Sequence, residues 1–255
     1  MTDPHVSGLT ERGRREARAV GAKLDVDLDE TKALSVNNIR SLATVALALY
    51  PEINDDEIPK KILQLKNSRQ LLTTPKLSYL PVEDKNFEEQ LATFFHQGRA
   101  LRFLVDNSDE HILTKGTAMS SYSTLANEAA STLMYYYQKY KLGEKSQQPD
   151  DKDLYRIFCG REFVYGCFRA KLIENMQGVG ARDDYVDWYG DTIEWSHEAR
   201  EDIALTRITR SANDDIKFNL KDNYGEMQFG INDVENIMRD YQEKFSIKRH
   251  ERDTR

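Results

Sequence analysis

The chain has 255 residues, of which 31% are charged and 39% hydrophobic, the balance of an ordinary folded protein. Its net charge of −7 argues against general binding to nucleic acid, which uses many uncompensated lysines and arginines, but leaves room for a local basic pocket around one phosphate. The apolar run at residues 43–49 is too short to cross a bilayer and the N-terminus resembles no secretion signal, so we expect a cytoplasmic protein without membrane contact.

The first third of the chain alternates between helical and strand spacing of apolar residues. Residues 10–24 predict an amphipathic helix, and residues 32–38 a short strand. Residues 39–50 predict a second helix, which Pro51 ends because proline cannot continue a helix. A second strand is predicted at residues 60–67.

The middle of the chain is dominated by helical patterns. Aromatic and aliphatic residues recur at helical spacing over residues 87–105, which predicts one long helix. A further helix is predicted over residues 123–142, with Ser121 or Ser123 as its N-cap. Residues 143–153 are polar and contain a proline, which predicts a loop.

The last hundred residues return to strand patterns. A buried strand is predicted at residues 154–160, followed by a helix over residues 161–176. Alternating apolar residues over 216–220 and 227–231 flank the sequence DNYG, the pattern of a β-hairpin with glycine in its turn. Residues 232–245 predict a final helix.

Strands that alternate with helices favour an α/β fold, a three-layer sandwich around a mostly parallel sheet. The C-terminal antiparallel hairpin is expected at one edge of that sheet. Residues 51–150 are read as a mainly helical insertion within a single domain that covers residues 1–255.

Two predicted strand-to-helix junctions carry an arginine immediately after the strand. Arg40 opens the helix that follows residues 32–38, and Arg161, with Glu162 beside it, follows residues 154–160. An arginine at a helix N-terminus opposes the positive end of the helix dipole, and an anion bound between the two relieves that repulsion. The alternative interpretation is an exposed arginine paired with a nearby carboxylate.

The histidines show no spacing typical of a metal site. Neither HxH nor HExxH occurs among the five, which are His5, His96, His111, His197 and His250. We therefore expect no metal centre.

The sequence stretches around these features resemble one enzyme family. LTERGRREA (residues 9–17) is similar to the first-helix motif LTxxGxxQA of the histidine phosphatase superfamily, the phosphoglycerate mutase-like proteins. RSLAT (residues 40–44) resembles the family's RxxxT helix start, and LYRIFCGREF (residues 154–163) resembles the strand that leads to the second catalytic histidine.

The resemblance implies a small phosphorylated ligand and phosphoryl transfer through a phosphohistidine, without a metal or another cofactor. Arg40 is then the phosphate-binding arginine. Arg161 stands where the family has its second histidine, and it can neutralise phosphate but cannot donate a proton at ordinary pH. Glu162 is the candidate for the catalytic acid or for orienting the arginines.

The sequence departs from the family at both histidines. No RHG motif occurs, so the first strand and its nucleophile are expected upstream of Met1, and His5 lies too close to Leu9 to replace that nucleophile. One hypothesis is a phosphomonoesterase that is competent when that strand is restored. The alternative is a non-catalytic phospholigand-binding or regulatory pseudophosphatase, and a third is an interaction protein on a decayed fold. The substrate and the oligomeric state are left open.

Overall fold

A computed structural model describes residues 8–24, 27–28, 31–75, 84–115, 120–144, 155–159, 162–195, 205–210, 216–222 and 224–253. Contacts between residues divide the chain into two compact units. Unit 1 consists of Met1–Ser78, Leu142–Arg161 and Ala199–Glu201, and unit 2 of Tyr79–Lys141, Glu162–Glu198 and Asp202–Arg255.

Unit 1 is an α/β unit with a parallel sheet. Its described elements are, in chain order, α1 (Glu11–Lys23), β1 (Thr31–Ser35), α2 (Ile39–Leu49), α3 (Ile58–Asn67), β2 (Leu71–Thr73) and β3 (Tyr155–Cys159). The strand order is β2-β1-β3, and both pairings are parallel, with Ala33 of β1 opposite Leu71 of β2 and Ile157 of β3. Because parallel strands end at the same edge, their C-terminal residues and the helix that follows β1 lie together.

Helix α2 is the centre of the core of unit 1. Its residues from Ala43 to Leu49 are apolar apart from Thr44, and nearly all are buried, which is the pattern of a helix enclosed on most sides. Asn38 caps it, since the side-chain oxygen accepts a hydrogen bond from the Ser41 backbone N–H at 2.8 Å. The helix ends at Leu49, before Pro51, as the sequence predicts.

The predicted strand at residues 60–67 is wrong, because these residues belong to helix α3. Ile58, Ile62 and Leu65 are buried, and their spacing of four and three residues is helical. Pro59 stands at the start of the helix, where its missing N–H costs nothing. The second strand is instead β2, which is shorter and lies further along the chain.

Unit 2 contains most of the remaining helices and an antiparallel sheet. Its described elements are α4 (Lys85–His96), α5 (Ala100–Phe103), α6 (Asp109–Lys115), α7 (Tyr122–Glu144, of which residues 142–144 belong to unit 1), α8 (Glu162–Gln177), α9 (Val179–Trp195), β4 (Leu205–Arg210), β5 (Ile216–Asp222), β6 (Gly225–Gly230) and α10 (Ile231–Asp253). A single π-helical turn, Leu104–Ser108, joins α5 to α6.

The predicted long helix over residues 87–105 is interrupted. Gly98 adopts φ +71°, and its N–H donates to the Phe95 carbonyl at 3.1 Å, while the Arg99 N–H donates to the Phe94 carbonyl at 2.8 Å. This pair of hydrogen bonds is the Schellman ending of a helix, which needs a residue that tolerates positive φ. The glycine therefore ends α4, and α5 starts a separate helix.

The C-terminal hairpin is confirmed. Phe218 on β5 lies opposite Phe229 on β6, and their rings stack with centroids 5.1 Å apart. The hairpin pairs with β4, which the sequence did not indicate, to form an antiparallel sheet of its own rather than the edge of the parallel sheet. The mixed α/β class, with a parallel sheet and a C-terminal antiparallel hairpin, is confirmed as well.

Candidate functional site

The carboxyl edge of the parallel sheet in unit 1 is the candidate functional site. Open parallel sheets bind ligands at this edge, where strands end and helix N-termini begin. Here β1 runs through Val36 into the first turn of α2, and β2 runs into Thr74, whose N–H donates to the Ser35 carbonyl at 2.9 Å. Val36 in turn donates its N–H to the Cys159 carbonyl at the end of β3, at 3.2 Å.

Arg40 is the second residue of α2 at this edge, and its side chain is exposed. Within the described part of the chain, no carboxylate lies within ion-pair distance of it. Asp55, which accepts from Arg14 and Arg18, follows the opposite end of α2, and an eleven-residue helix is about 16 Å long. The carboxylate pair given as the alternative for Arg40 is therefore not found among the described residues.

The stretch that carries the family resemblance builds the start of α1. Leu9 is buried, and the Thr10 hydroxyl accepts a hydrogen bond from the Gly13 N–H at 3.1 Å, so this threonine is the N-cap. Ala17 is buried against the core of unit 1. These residues therefore act in folding, at the start of α1.

Gly8 lies against the first turn of α2. It adopts φ +65°, and a Cβ built on it would approach the Ile39 Cγ2 atom to 2.8 Å and the Arg40 backbone nitrogen to 3.5 Å. The chain before α1 thus approaches the N-terminus of α2 so closely that only glycine fits without rearrangement.

The Gly8→Ala variant is therefore expected to lose about 1–2 kcal/mol of unfolding free energy, from backbone strain at positive φ and from displacement of Ile39. Urea denaturation measures this loss. Gly178 also has positive φ, at +94°, but nothing lies within 4 Å of its Cβ position, so Gly178→Ala reports the strain alone. Equal losses in the two variants would contradict the close approach.

A cleft of about 400 Å³ opens between the ends of β1 and β2. Among the described residues, its lining consists of Val36, Asn37, Thr73, Thr74 and Pro75. Lys66, in the last turn of α3, donates from Nζ to the Asn37 Oδ1 atom at 3.2 Å, which brings a second cation to the same region. The edge can therefore bind an anion at Arg40 and polar groups in the cleft.

The thiol of Cys159 lies at the end of β3 and contacts the Ser41 carbonyl oxygen at 3.6 Å. Burial raises the pKa of Cys159 to about 11, although hydrogen bonds with Ser35 and Ser41 partly oppose that rise. The thiol is therefore protonated at neutral pH, which makes it a poor nucleophile.

The structure does not describe the side chains of the other predicted site residues. Arg161 and His5 lie outside the described residues. Glu162 is the first residue of α8, but its side chain is not described. The roles given to Arg161 and Glu162 stay predictions. In the described part of unit 1 there is no histidine, so no phosphohistidine nucleophile is found there.

Sequence reasoning missed the cleft residues because it read residues 60–67 as a strand. Because of that error, β2 was not predicted. The place of Thr73 and Thr74 beside β1 and the hydrogen bond between Lys66 and Asn37 were missed with it. The helical spacing of Ile58, Ile62 and Leu65 is the signal that could have found α3.

Comparison of the chain with protein-family models, with curated proteins and with solved structures finds no match. Across the described residues, no group of three or more histidine, cysteine or acidic side chains is placed to hold a metal ion. None of the described helices is long and apolar enough to cross a membrane.

Proposed function

We propose that this chain binds a small phosphorylated ligand at the carboxyl edge of β1, with Arg40 as the contact to the phosphoryl group. The observation that carries the proposal is the placement of Arg40, an exposed cation on the first turn of α2 without a carboxylate partner among the described residues.

The first turn of α2 adds donors to this cation. Asn38 caps the Ser41 N–H, and the Leu42 N–H donates to the Asn38 carbonyl at 3.0 Å, whereas the N–H groups of Ile39 and Arg40 have no acceptor among the described residues. Two backbone donors and one guanidinium are a suitable set for phosphate, because the helix dipole and the charge act in the same direction.

The resemblance to the histidine phosphatases extends this proposal to phosphoryl transfer, as the alternative function. That chemistry needs a nucleophile as well as the arginine. The family pattern expects a histidine on an upstream strand, and only hydrolysis by residues 1–255 themselves would point to His5 instead. Binding without turnover needs neither, and it is the function that the described residues support best.

The Arg40→Ala variant is expected to bind inorganic phosphate and phenyl phosphate about 10- to 100-fold more weakly than the wild type. The loss corresponds to one or two charge-assisted hydrogen bonds, at about 1.5–3 kcal/mol in total. Isothermal titration calorimetry on the full chain measures it. Arg15→Ala, an exposed arginine on α1, makes the same change in charge and is expected to bind as the wild type does.

Equal affinities of Arg40→Ala, Arg15→Ala and the wild type would contradict the proposal. Hydrolysis of p-nitrophenyl phosphate by the same three proteins distinguishes the two functions. Phosphate binding without hydrolysis supports the non-catalytic function, whereas hydrolysis that Arg40→Ala abolishes supports the phosphatase, with His5→Ala as the next variant.

A further inference from the structure

The imidazole of His111 lies against the start of helix α4. His111 is the third residue of α6, and its ring centroid is 4.4 Å from that of Phe87 in the first turn of α4. Its Nε2 atom lies 3.5 Å from the Oδ2 atom of Asp84, the N-cap of α4. We infer that His111 and Asp84 form a pH-sensitive contact, which holds the first turn of α4 against α6 when the imidazole is protonated and loosens when it is neutral. All these residues belong to unit 2, so the inference does not rest on the phosphate site.

The two carboxylate oxygens of Asp84 have separate roles. The Oδ1 atom accepts hydrogen bonds from the backbone N–H groups of Asn86 at 3.0 Å and of Phe87 at 3.3 Å, which is the work of an N-cap. The Oδ2 atom is the one that faces His111. The carboxylate can therefore pair with a protonated imidazole without giving up the cap of α4.

A neutral imidazole is poorly satisfied at this position. The Nε2 atom of His111 is buried and has no hydrogen-bond partner among the described residues, since its distance from Asp84 is that of an ion pair rather than of a hydrogen bond. Leaving a buried polar atom without a partner destabilises the folded state. A protonated imidazole gains the attraction of the Asp84 carboxylate, which depends on distance more than on alignment.

The groups around His111 favour its protonated form. The side chains of His111 and Asp84 are 14% and 28% exposed, so their attraction is stronger than between surface ions, while the remaining solvent limits the cost of burying the charge. The ring of Phe87 adds to the attraction, because the face of an aromatic ring is negative. Among the described residues, Asp84 is the one carboxylate within ion-pair distance of His111, and Asp109, on the same helix, is paired with Lys244. The other charged residues of α6 and of the first turns of α4 are exposed and screened by solvent: Lys85, Glu88, Glu89, Glu110 and Lys115.

The test is a double-mutant cycle of His111→Gln and Asp84→Asn in the full chain, measured by urea denaturation at pH 5.5 and at pH 8. A histidine side chain ordinarily changes its charge near pH 6.5, so the contact contributes stability below that pH and loses it as the pH rises above. Asparagine caps a helix about as well as aspartate does, so Asp84→Asn removes the charge and keeps the cap. We expect the coupling between the two residues to change the unfolding equilibrium constant about five- to tenfold at pH 5.5 and less than about twofold at pH 8.

His96→Gln is the matched control. His96 is an exposed histidine at the other end of α4, whose twelve residues are about 18 Å long, so its coupling with Asp84→Asn is expected to be absent at both pH values. A coupling between His111 and Asp84 that is present at pH 5.5 and lost at pH 8 supports the pH-sensitive contact. A coupling that is equal at the two pH values, or absent at both, overturns it. Where His111→Gln does not fold, the ratio of the unfolding constants of Asp84→Asn and the wild type decides in its place: a ratio that is larger at pH 5.5 supports the contact, and a ratio that is the same at both pH values overturns it.

Discussion

Replacing Gly21 by alanine is expected to destabilise unit 1 by about 2–4 kcal/mol, the largest effect that we expect from adding a single methyl group. A Cβ at Gly21 would overlap the carbonyl oxygen of Ala48 and lie 3.0 Å from its carbonyl carbon and 3.1 Å from its Cα. All three atoms belong to the backbone of α2, so α1 must move away from α2 to make room. Overpacking of this kind costs about 1–3 kcal/mol and occasionally more, and here it separates two helices rather than displacing a side chain.

Gly13→Ala, in the same helix, is the matched control. Its added Cβ would lie 3.4 Å from the Leu9 Cδ2 atom and 3.5 Å from the Thr10 Oγ1 atom, both of which belong to side chains at ordinary contact distance. Since alanine is the better helix former, this variant is expected to gain about 0.5–1 kcal/mol.

Circular dichroism during urea denaturation measures both changes in unfolding free energy, and hydrogen exchange locates them. Peptides from α1 and α2 are expected to exchange faster in Gly21→Ala than in the wild type. A Gly21→Ala protein as stable as Gly13→Ala would show that α1 does not pack on α2 through this glycine.

The contact between Gly21 and Ala48 also shows which parts of the fold can be predicted from the sequence alone. The spacing of apolar residues predicted α1, β1 and α2, and Pro51 predicted the end of α2, because these signals act on their own neighbours along the chain. The close packing at Gly21 depends on Ala48, twenty-seven residues away, and no local pattern encodes that approach. The glycine could be read in the sequence, but its partner could not.

The predicted strand at residues 60–67 failed for a related reason. KKILQLKN alternates charged and apolar residues well enough to fit a strand over a few positions. Including the two preceding residues, Ile58 and Pro59, extends the helical spacing and supplies a residue suited to a helix start. A window of eight residues was too short to separate the two periods.

The position of Arg40 in the fold was predicted, whereas its role stays a prediction. Arg40 stands between β1 and α2 because the apolar spacing identified both elements. The cleft depends on which strand lies beside β1, and strand order is set by packing between distant segments. Asn37 and Thr73 therefore line the same cleft because of the fold of unit 1, and neither local sequence predicts that they lie close together.

Asp109 is the residue of unit 2 at which we expect the second large effect. It is 6% exposed, and its Oδ1 accepts from the Ser123 N–H at 3.0 Å, while its Oδ2 accepts from the Lys244 ammonium at 2.5 Å. Asp109 thus caps the first turn of α7 from the start of α6 and joins both to α10. The sequence predicted Ser121 or Ser123 as the cap of this helix. Ser121 does accept from the Thr124 N–H, whereas the Ser123 hydroxyl donates to Asp109.

The Asp109→Ala variant is expected to lose about 3 kcal/mol of unfolding free energy at neutral pH. Truncation leaves the Ser123 N–H without its buried acceptor and removes the charge partner of Lys244. Lys244 is 41% exposed, so solvent screens its share, and we place the loss at the lower end of the range for buried ion pairs.

The loss should also depend on pH. Burial favours the neutral carboxyl, but the Lys244 ammonium and hydrogen bonds from Ser121 and Ser123 outweigh it and hold the pKa of Asp109 below its ordinary value. A carboxyl with a lowered folded-state pKa stabilises the fold fully above its unfolded-state pKa, about 3.9, and loses that contribution as the pH falls below this value. The difference between the wild type and Asp109→Ala is therefore expected to be largest at neutral pH and to shrink in acid.

A double-mutant cycle with Lys244→Met separates the ion pair from the capping hydrogen bonds. We expect the coupling between Asp109 and Lys244 to be favourable at neutral pH and to fade as the pH falls below the unfolded-state pKa, while the capping contribution of Asp109 remains in the Lys244→Met background. Glu16→Gln, in the exposed Arg12–Glu16 pair of α1, is the control and is expected to cost no more than about 0.5 kcal/mol. A coupling of zero at neutral pH would assign the whole effect of Asp109 to the cap of α7, since that cap needs the carboxylate oxygens but not the lysine.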